Sequence, residues 1–219
     1  ETKKILPQDL PLIGFCGSPW TLAAYSIEGG GSKDFNKTKN FLKEHPKELQ
    51  EFLDILTNAC YEYLKQQVLS GVNALQIFDS WADLLSGNDL EKLSLQYTRK
   101  LTSLLKTDPL TSNIPIILFE KAPKKNVVDW VFKDIACVSL YWKEDIESVA
   151  KDLKNNYVIQ GNLDPNVLMK SDESIRNETQ KICSIMNKYP GFIFNLGHGI
   201  TPNIKPIKVK VMIDAIRET

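Results

Sequence analysis

Short, continuous runs of apolar residues alternate along the chain with longer amphipathic segments. The apolar runs are Pro11–Cys16, Ala74–Phe78, Ile114–Phe119, Ile135–Leu140, Tyr157–Gln160 and Phe192–Leu196. Few polar residues interrupt them, which is typical of strands that are covered on both faces. We therefore predict a buried strand at each of these runs.

The segments between the runs show helical periodicity. The clearest begins near Pro46 and ends before Gly71, with apolar residues from Leu49 to Val68 forming one stripe. The same pattern covers Leu90–Leu105, Asp145–Leu153, Ser174–Met186 and Lys208–Ile216. Strands that alternate with helices predict parallel β–α–β units in an α/β fold. A doubly wound sheet and part of a (β/α)8 barrel both fit this pattern.

The composition is that of an ordinary globular protein, and we expect residues 1–219 to form a single domain. The 27 basic and 27 acidic residues cancel, so no broad charged surface suggests a nucleic acid or a membrane as partner. The four cysteines lack metal-site spacing, and no apolar run is long enough to span a bilayer. We expect reduced cysteines and a cytoplasmic protein without a metal.

Polar residues and glycines follow several of the predicted strands. The segments are Gly14–Leu22 with Tyr25 and Glu28–Ser32, then Phe78–Ala82, Gln160–Pro165 and Asn195–Ile200. Strand ends of this kind carry the chemistry in barrels. Simpler roles stay open: Asp79 and Ser80 could cap a helix, Asp164 could belong to a turn, and His198 could be structural. None of the segments has the spacing of a dinucleotide-binding loop, a P-loop or a serine nucleophile elbow.

Taken together and in this order, the four segments resemble the motifs of uroporphyrinogen decarboxylases. The resemblance implies a (β/α)8 TIM barrel, with about six of its eight β/α units in this chain. It implies a cytoplasmic, homodimeric carboxy-lyase that removes CO2 from the four acetate side chains of uroporphyrinogen III, giving coproporphyrinogen III. This reaction, a step of haem biosynthesis, needs no metal and no organic cofactor.

The same resemblance implies roles for four residues. Tyr25, Ser80 and His198 would be the catalytic residues and would contact substrate carboxylates, and Phe78 would line the substrate cleft. We expect the three polar side chains to converge on one cleft at the carboxyl ends of the strands. Their hydroxyl, phenol and imidazole groups are suitable hydrogen-bond donors for carboxylates.

Some features depart from the family pattern. The family's N-terminal arginine motif and pyrrole-binding aspartate have no counterpart here, so we expect a truncated or cleaved piece of a longer enzyme. Tyr141 stands where the family has an acidic residue, and the 119–123 segment is shorter than the family's glycine-bearing loop.

Two alternatives remain. The chain could be an inactive or partner-binding fragment. It could also be a zinc-dependent cobalamin or thiol methyltransferase on the same scaffold. That class needs a His-x-Cys pair, whereas His198 is followed by Gly199 and Ile200.

Overall fold

A computed structural model describes residues 1–122 and 126–219 of the protein. They divide into two compact units: Glu1–Lys124 with Phe132–Ala136, and Lys125–Val131 with Cys137–Thr219. Each unit combines parallel strands with helices, and each is described by itself below. The expectation of a single domain over residues 1–219 stays a prediction. Pro123, in the shortened 119–123 segment, lies outside the described residues.

In the first unit, β2 lies between two parallel neighbours. Residue Phe15 pairs with Gln76 on one side of it, and Asp79 pairs with Glu120 on the other. The strands of this unit are β1 (Ile13–Gly17), β2 (Ala74–Asp79) and β3 (Ile116–Glu120). Its helices are α1 (Thr2–Ile5), α2 (Pro19–Glu28), α3 (Asn36–Glu44), α4 (Pro46–Leu69) and α5 (Gln96–Thr107).

The second unit repeats the arrangement with three further strands. Its strands are β4 (Cys137–Ser139), β5 (Val158–Leu163) and β6 (Phe192–Leu196), and β5 pairs in parallel with both others. Its helices are α6 (Ile146–Leu153), α7 (Asp172–Met186) and α8 (Pro206–Arg217). Each predicted apolar run therefore contains a parallel strand. Burial on both faces holds for β2 to β5, whose residues are largely buried. The prediction of a buried strand is wrong for β1, in which exposed and buried residues alternate, and for β6, in which no residue is buried, because one face of each of these strands is open.

The helices follow the predicted stripes with one difference. Helix α4 has the predicted bounds and buries Leu49, Leu53 and Leu64 along its stripe. The segment expected to be one helix over Leu90–Leu105 instead divides into a π-helical turn, Leu90–Leu95, and helix α5. The wider turn contains the fully buried Ser94, whose hydroxyl contacts groups at the strand ends.

The apolar core of the second unit forms between α7, α8 and the end of β5. Leu163 and Leu168 pack there with Ile175, Val211 and Met212. Asp164 accepts a hydrogen bond from the backbone N–H of Asn166 at 2.9 Å and so caps the short 3-10 turn Pro165–Met169. The turn role considered for Asp164 is confirmed, and this cap holds the chain as it leaves β5.

In the first unit, a partly buried polar triad joins α4 to the end of α5. The carboxylate of Asp108 lies 2.8 Å from the ammonium of Lys65 and accepts a 2.6 Å hydrogen bond from the phenol of Tyr61. Lys65 first, and Tyr61 second, lower the pKa of Asp108 to about 2. Charged hydrogen bonds of this kind favour the ionised carboxylate.

We predict that Asp108→Asn reduces stability in a pH-dependent way. The pKa of Asp108 is lower in the folded protein (about 2) than in the unfolded chain (about 3.9). Its contribution is therefore present above about pH 4 and is lost as the pH falls toward 2. Urea unfolding from pH 7 to pH 2 should show a lower free energy of unfolding at neutral pH and a shallower acid dependence. Asp9→Asn, at an exposed position, is the matched control, and equal curves for the two variants would contradict the prediction.

Candidate functional site

Tyr25, Phe78 and Ser80 all belong to the first unit. Tyr25 lies on α2, which begins directly after β1 because Ser18 caps its first turn and Pro19 occupies the first helical position. The backbone N–H of Ser18 donates to the carbonyl of Phe78 at 2.8 Å. The start of the helix that bears Tyr25 is thereby joined to the end of the strand that leads to Ser80.

An aromatic cluster orients the ring of Tyr25. The Tyr25 ring packs edge-on against Trp81, with 5.8 Å between ring centres, and at a tilt against Phe35, with 6.2 Å between ring centres. Phe35 in turn packs on Trp81 at 4.4 Å. The indole N–H of Trp20 donates to the carbonyl of Trp81 at 2.8 Å, which holds the backbone next to Ser80. Tyr25 is 37% exposed, so the cluster supports one side of the ring while the other faces solvent.

The hydroxyls of Tyr25 and Ser80 are both available to a ligand. Within residues 1–122 and 126–219, neither makes a hydrogen bond to another part of the protein. Ser80 is half-buried and directly precedes Trp81, against which Tyr25 packs. The structure therefore brings these two residues to one region of the first unit, each with a free donor.

Phe78 contributes an apolar surface beside them. Its ring lies 6.0 Å from that of Phe15 on β1 and 6.0 Å from that of Phe119 on β3. The three rings come from three adjacent strands and lie near the carboxyl ends of those strands. Phe119 is buried at 4% exposure, so the surface open to a ligand consists of Phe15 and Phe78. Rings of this kind can pack against an apolar face of a ligand.

Behind this surface lies a buried carboxylate, Asp79, the last residue of β2. Its oxygens accept hydrogen bonds from the hydroxyl of Thr21 at 2.8 Å and from the hydroxyl of Ser94 at 2.5 Å. Burial raises the pKa of Asp79, and these donors oppose that effect.

Asp79 therefore does not cap the following helix, as the sequence had left open. The turn Ala82–Leu84 begins at Trp81 without a side-chain cap. The carboxylate instead collects donors from α2 and from the π-helical turn. The reason is burial: at 0% exposure a carboxylate needs several donors to replace water.

Lys121 is a residue of this region that the sequence reasoning missed. It directly follows β3, and its ammonium lies 2.9 Å from the Asp83 carboxylate and 5.2 Å from the centre of the Trp81 ring. A cation in this position stabilises the aromatic cluster from the side of β3. Its position directly after a strand was the available signal.

His198 belongs to the second unit and follows β6. Its imidazole is exposed, and its Nδ1 accepts a hydrogen bond from the backbone N–H of Gly199 at 2.8 Å. When the ring is neutral, this contact places its proton on Nε2. The ring of Tyr141 packs edge-on against it at 6.1 Å, so the residue that departs from the family pattern is a direct neighbour of His198.

Two contacts within the second unit, one from Asn162 and one from Gly197, hold the loops around His198. The side-chain N–H groups of Asn162 donate to the carbonyls of Tyr141 at 3.0 Å and Glu144 at 2.8 Å, which fixes the loop after β4. Gly197 lies against the backbone of Trp142 so closely that any Cβ would collide with it. The glycine before His198 is therefore required for packing between neighbouring strand ends.

The structure thus brings Tyr25, Phe78 and Ser80 together in the first unit and places His198 beside Tyr141 in the second. Convergence of His198 with the other three stays a prediction.

Among the described residues, no group of three or more His, Cys, Asp or Glu side chains is arranged to hold a metal. All four cysteines are free and buried, as expected. Over the same residues, no helix has the length and apolar character needed to span a bilayer.

Comparison with solved structures agrees with the predicted fold. A methyltransferase from Methanosarcina mazei superposes with a TM-score of 0.73 over 99% of this chain and 60% of its own, at 19% sequence identity. At that identity the similarity concerns the fold alone. The chain has the α/β fold class predicted from the sequence, that of a partial (β/α)8 barrel with about six β/α units.

Comparison with protein sequences identifies the family. The model of the uroporphyrinogen decarboxylase (URO-D) family matches residues 1–219. The uroporphyrinogen decarboxylase of Ruthia magnifica is 40% identical over 99% of this chain and 62% of its own length. That of Pseudomonas putida (strain W619) is 41% identical over 95% of the chain and 59% of its own length. The chain spans about three fifths of the length of these curated relatives. It belongs to the uroporphyrinogen decarboxylase family.

Proposed function

We propose that the protein bearing this chain is a uroporphyrinogen decarboxylase. It would remove CO2 from each of the four acetate side chains of uroporphyrinogen III and leave methyl groups, giving coproporphyrinogen III. The observation that carries the proposal is the pair of donors, Tyr25 and Ser80, whose hydroxyls make no hydrogen bond within the described residues and which lie beside the aromatic ring of Phe78. Family membership supplies the substrate.

The substrate itself can supply the electron sink for this reaction. Protonation of a pyrrole carbon gives a cationic ring, and the bond between the acetate CH2 and its carboxylate then breaks. CO2 leaves, and its electron pair moves into the ring. A proton is then added to the CH2 to give a methyl group, and the loss of a ring proton restores the pyrrole. The protein needs to hold the carboxylates, exclude water and stabilise charge.

Each site residue has a role in this scheme. The phenol of Tyr25 and the hydroxyl of Ser80 would donate hydrogen bonds to a carboxylate at the reacting pyrrole. Nε2 of His198 would donate to another carboxylate, and Phe78 would pack against the macrocycle. Preset donors of this kind do not have to reorient as charge develops.

The proposal is tested by incubating the purified, complete protein with uroporphyrinogen III under reducing conditions. Mass spectrometry of the products should show stepwise loss of CO2 ending at coproporphyrinogen. Unchanged substrate, with a folded protein confirmed by circular dichroism, would refute the proposed activity.

Two further parts of the proposal concern the state of the protein. We propose a cytoplasmic homodimer, and the free, buried cysteines are consistent with a reducing compartment. Light scattering of the complete protein at micromolar concentration should give the mass of two chains. A monomer would contradict the dimer and leave the proposed chemistry standing.

We predict that Tyr25→Phe slows decarboxylation without destabilising the protein. The substitution removes one hydrogen bond to a charged group, a loss of about 1.5–3 kcal/mol or roughly 10-fold or more in rate. The ring contacts with Trp81 and Phe35 remain, so the melting temperature should change by less than about 2 °C. Tyr63→Phe, at an exposed position on α4, is the matched control. A parallel loss of rate and melting temperature would favour a structural role for Tyr25.

His198→Asn should likewise lower activity and leave stability unchanged. Asparagine retains an oxygen that can accept from the N–H of Gly199, but its amide NH2 lies closer to the backbone than the imidazole Nε2 and does not reach the same position. We expect decarboxylation to slow by about 10-fold, the typical effect of one lost charged hydrogen bond. His45→Asn changes the other histidine, at the exposed start of α4, and should have no effect. Equal decarboxylation rates for His198→Asn and His45→Asn would show that His198 does not contribute to the site.

A further inference from the structure

A buried hydrogen bond between Thr21 and Asp79 connects the helix that bears Tyr25 with the strand end that bears Ser80. Thr21 lies on α2, four residues before Tyr25, and therefore on the same side of the helix one turn earlier. Its hydroxyl donates to Asp79, the residue directly before Ser80, at 2.8 Å. The same oxygen accepts the backbone N–H of Trp81, directly after Ser80, at 3.3 Å. Thr21 thus contacts the chain on both sides of Ser80.

This contact is costly to break. Thr21 is 3% exposed and Asp79 is 0% exposed, so water cannot replace the lost partner of either group. A buried carboxylate that loses a donor is strongly disfavoured. The relative position of α2 and the end of β2 is therefore held more tightly than ring packing alone would achieve.

The position of the Tyr25 hydroxyl depends on the position of α2. The phenol makes no hydrogen bond within the described residues, and its ring contacts, Trp81 and Phe35, resist sliding only weakly. A shift of α2 along its axis would move the phenol by the same distance. Displacements of about 1 Å at a reacting centre can reduce rates by up to about 100-fold.

We propose that Thr21 and Asp79 are positioning residues that set the place of the Tyr25 phenol relative to the Ser80 hydroxyl. Neither touches the substrate, and both act through Tyr25. This inference rests on the proposed decarboxylase function. It goes beyond that proposal because it assigns a role in the reaction to two residues that lie outside the substrate cleft.

Ser94 provides the matched control. Its hydroxyl lies 2.5 Å from the other oxygen of the same carboxylate and 3.3 Å from a carboxylate oxygen of Glu120, and it comes from the π-helical turn rather than from α2. Ser94→Ala removes one donor from Asp79, as Thr21→Val does, and leaves the link to α2 intact. The two variants should therefore lose similar stability, and only the Thr21 variant should lose activity.

The experiment is a double-mutant cycle in the complete protein, with uroporphyrinogen III as substrate. Thr21→Val should lower kcat/KM about 10-fold, and Thr21→Ser, which keeps the hydroxyl, should restore it to within about twofold. Ser94→Ala should stay within about twofold of the unaltered protein. When Tyr25→Phe is already present, adding Thr21→Val should lower kcat/KM by less than a further factor of about two, because the phenol that Thr21 positions is absent.

The outcomes separate the two proposals. An unaltered protein that is inactive refutes the proposed function, and the inference falls with it. An active protein in which Thr21→Val and Tyr25→Phe lose activity additively overturns the inference alone. The inference is also overturned if Ser94→Ala loses as much activity as Thr21→Val, or if activity is not restored in Thr21→Ser.

Discussion

The buried carboxylate of Asp79 is the interaction on which the candidate site of the first unit depends. It lies at the end of β2 and receives hydroxyl donors from α2 and from the π-helical turn. An ionised group without access to water is tolerated only when such donors surround it. The elements that supply these donors are therefore held at the carboxyl end of β2, where Tyr25 and Ser80 present their own hydroxyls.

The second unit reaches a similar result by close backbone packing. Gly197 permits the chain after β6 to lie against Trp142, and Asn162 joins β5 to the loop that carries Tyr141. His198 lies next to this packed region, and its Nδ1 accepts a hydrogen bond from the backbone N–H of Gly199. A buried hydrogen-bond network in one unit and tight glycine packing in the other both hold a loop in place at a strand end.

The polar residues around the strand ends divide into two groups by what they contact. Asp79, Thr21 and Asn162 hydrogen-bond to the protein itself and hold loops and helices in place. Tyr25 and Ser80 leave their hydroxyls without a partner in the described part of the chain. Family membership and this difference together support the decarboxylase proposal, because binding a substrate with several carboxylates requires donors that the fold does not consume.

The sequence alone determined the order of strands and helices, the α/β class and the family. Burial on both faces of β2 to β5 leaves continuous apolar runs, and helical stripes are equally local signals, whereas the open faces of β1 and β6 could not be read from their equally apolar runs. It also indicated Tyr25, Phe78, Ser80 and His198, through motifs at the ends of those strands. Only the tertiary structure decided that Asp79 binds Thr21 and Ser94, that Lys121 lies against Trp81, and that Leu90–Leu105 begins with a π-helical turn. These contacts join residues far apart in the chain, and they depend on which groups burial deprives of water, a property that no local pattern of residues records.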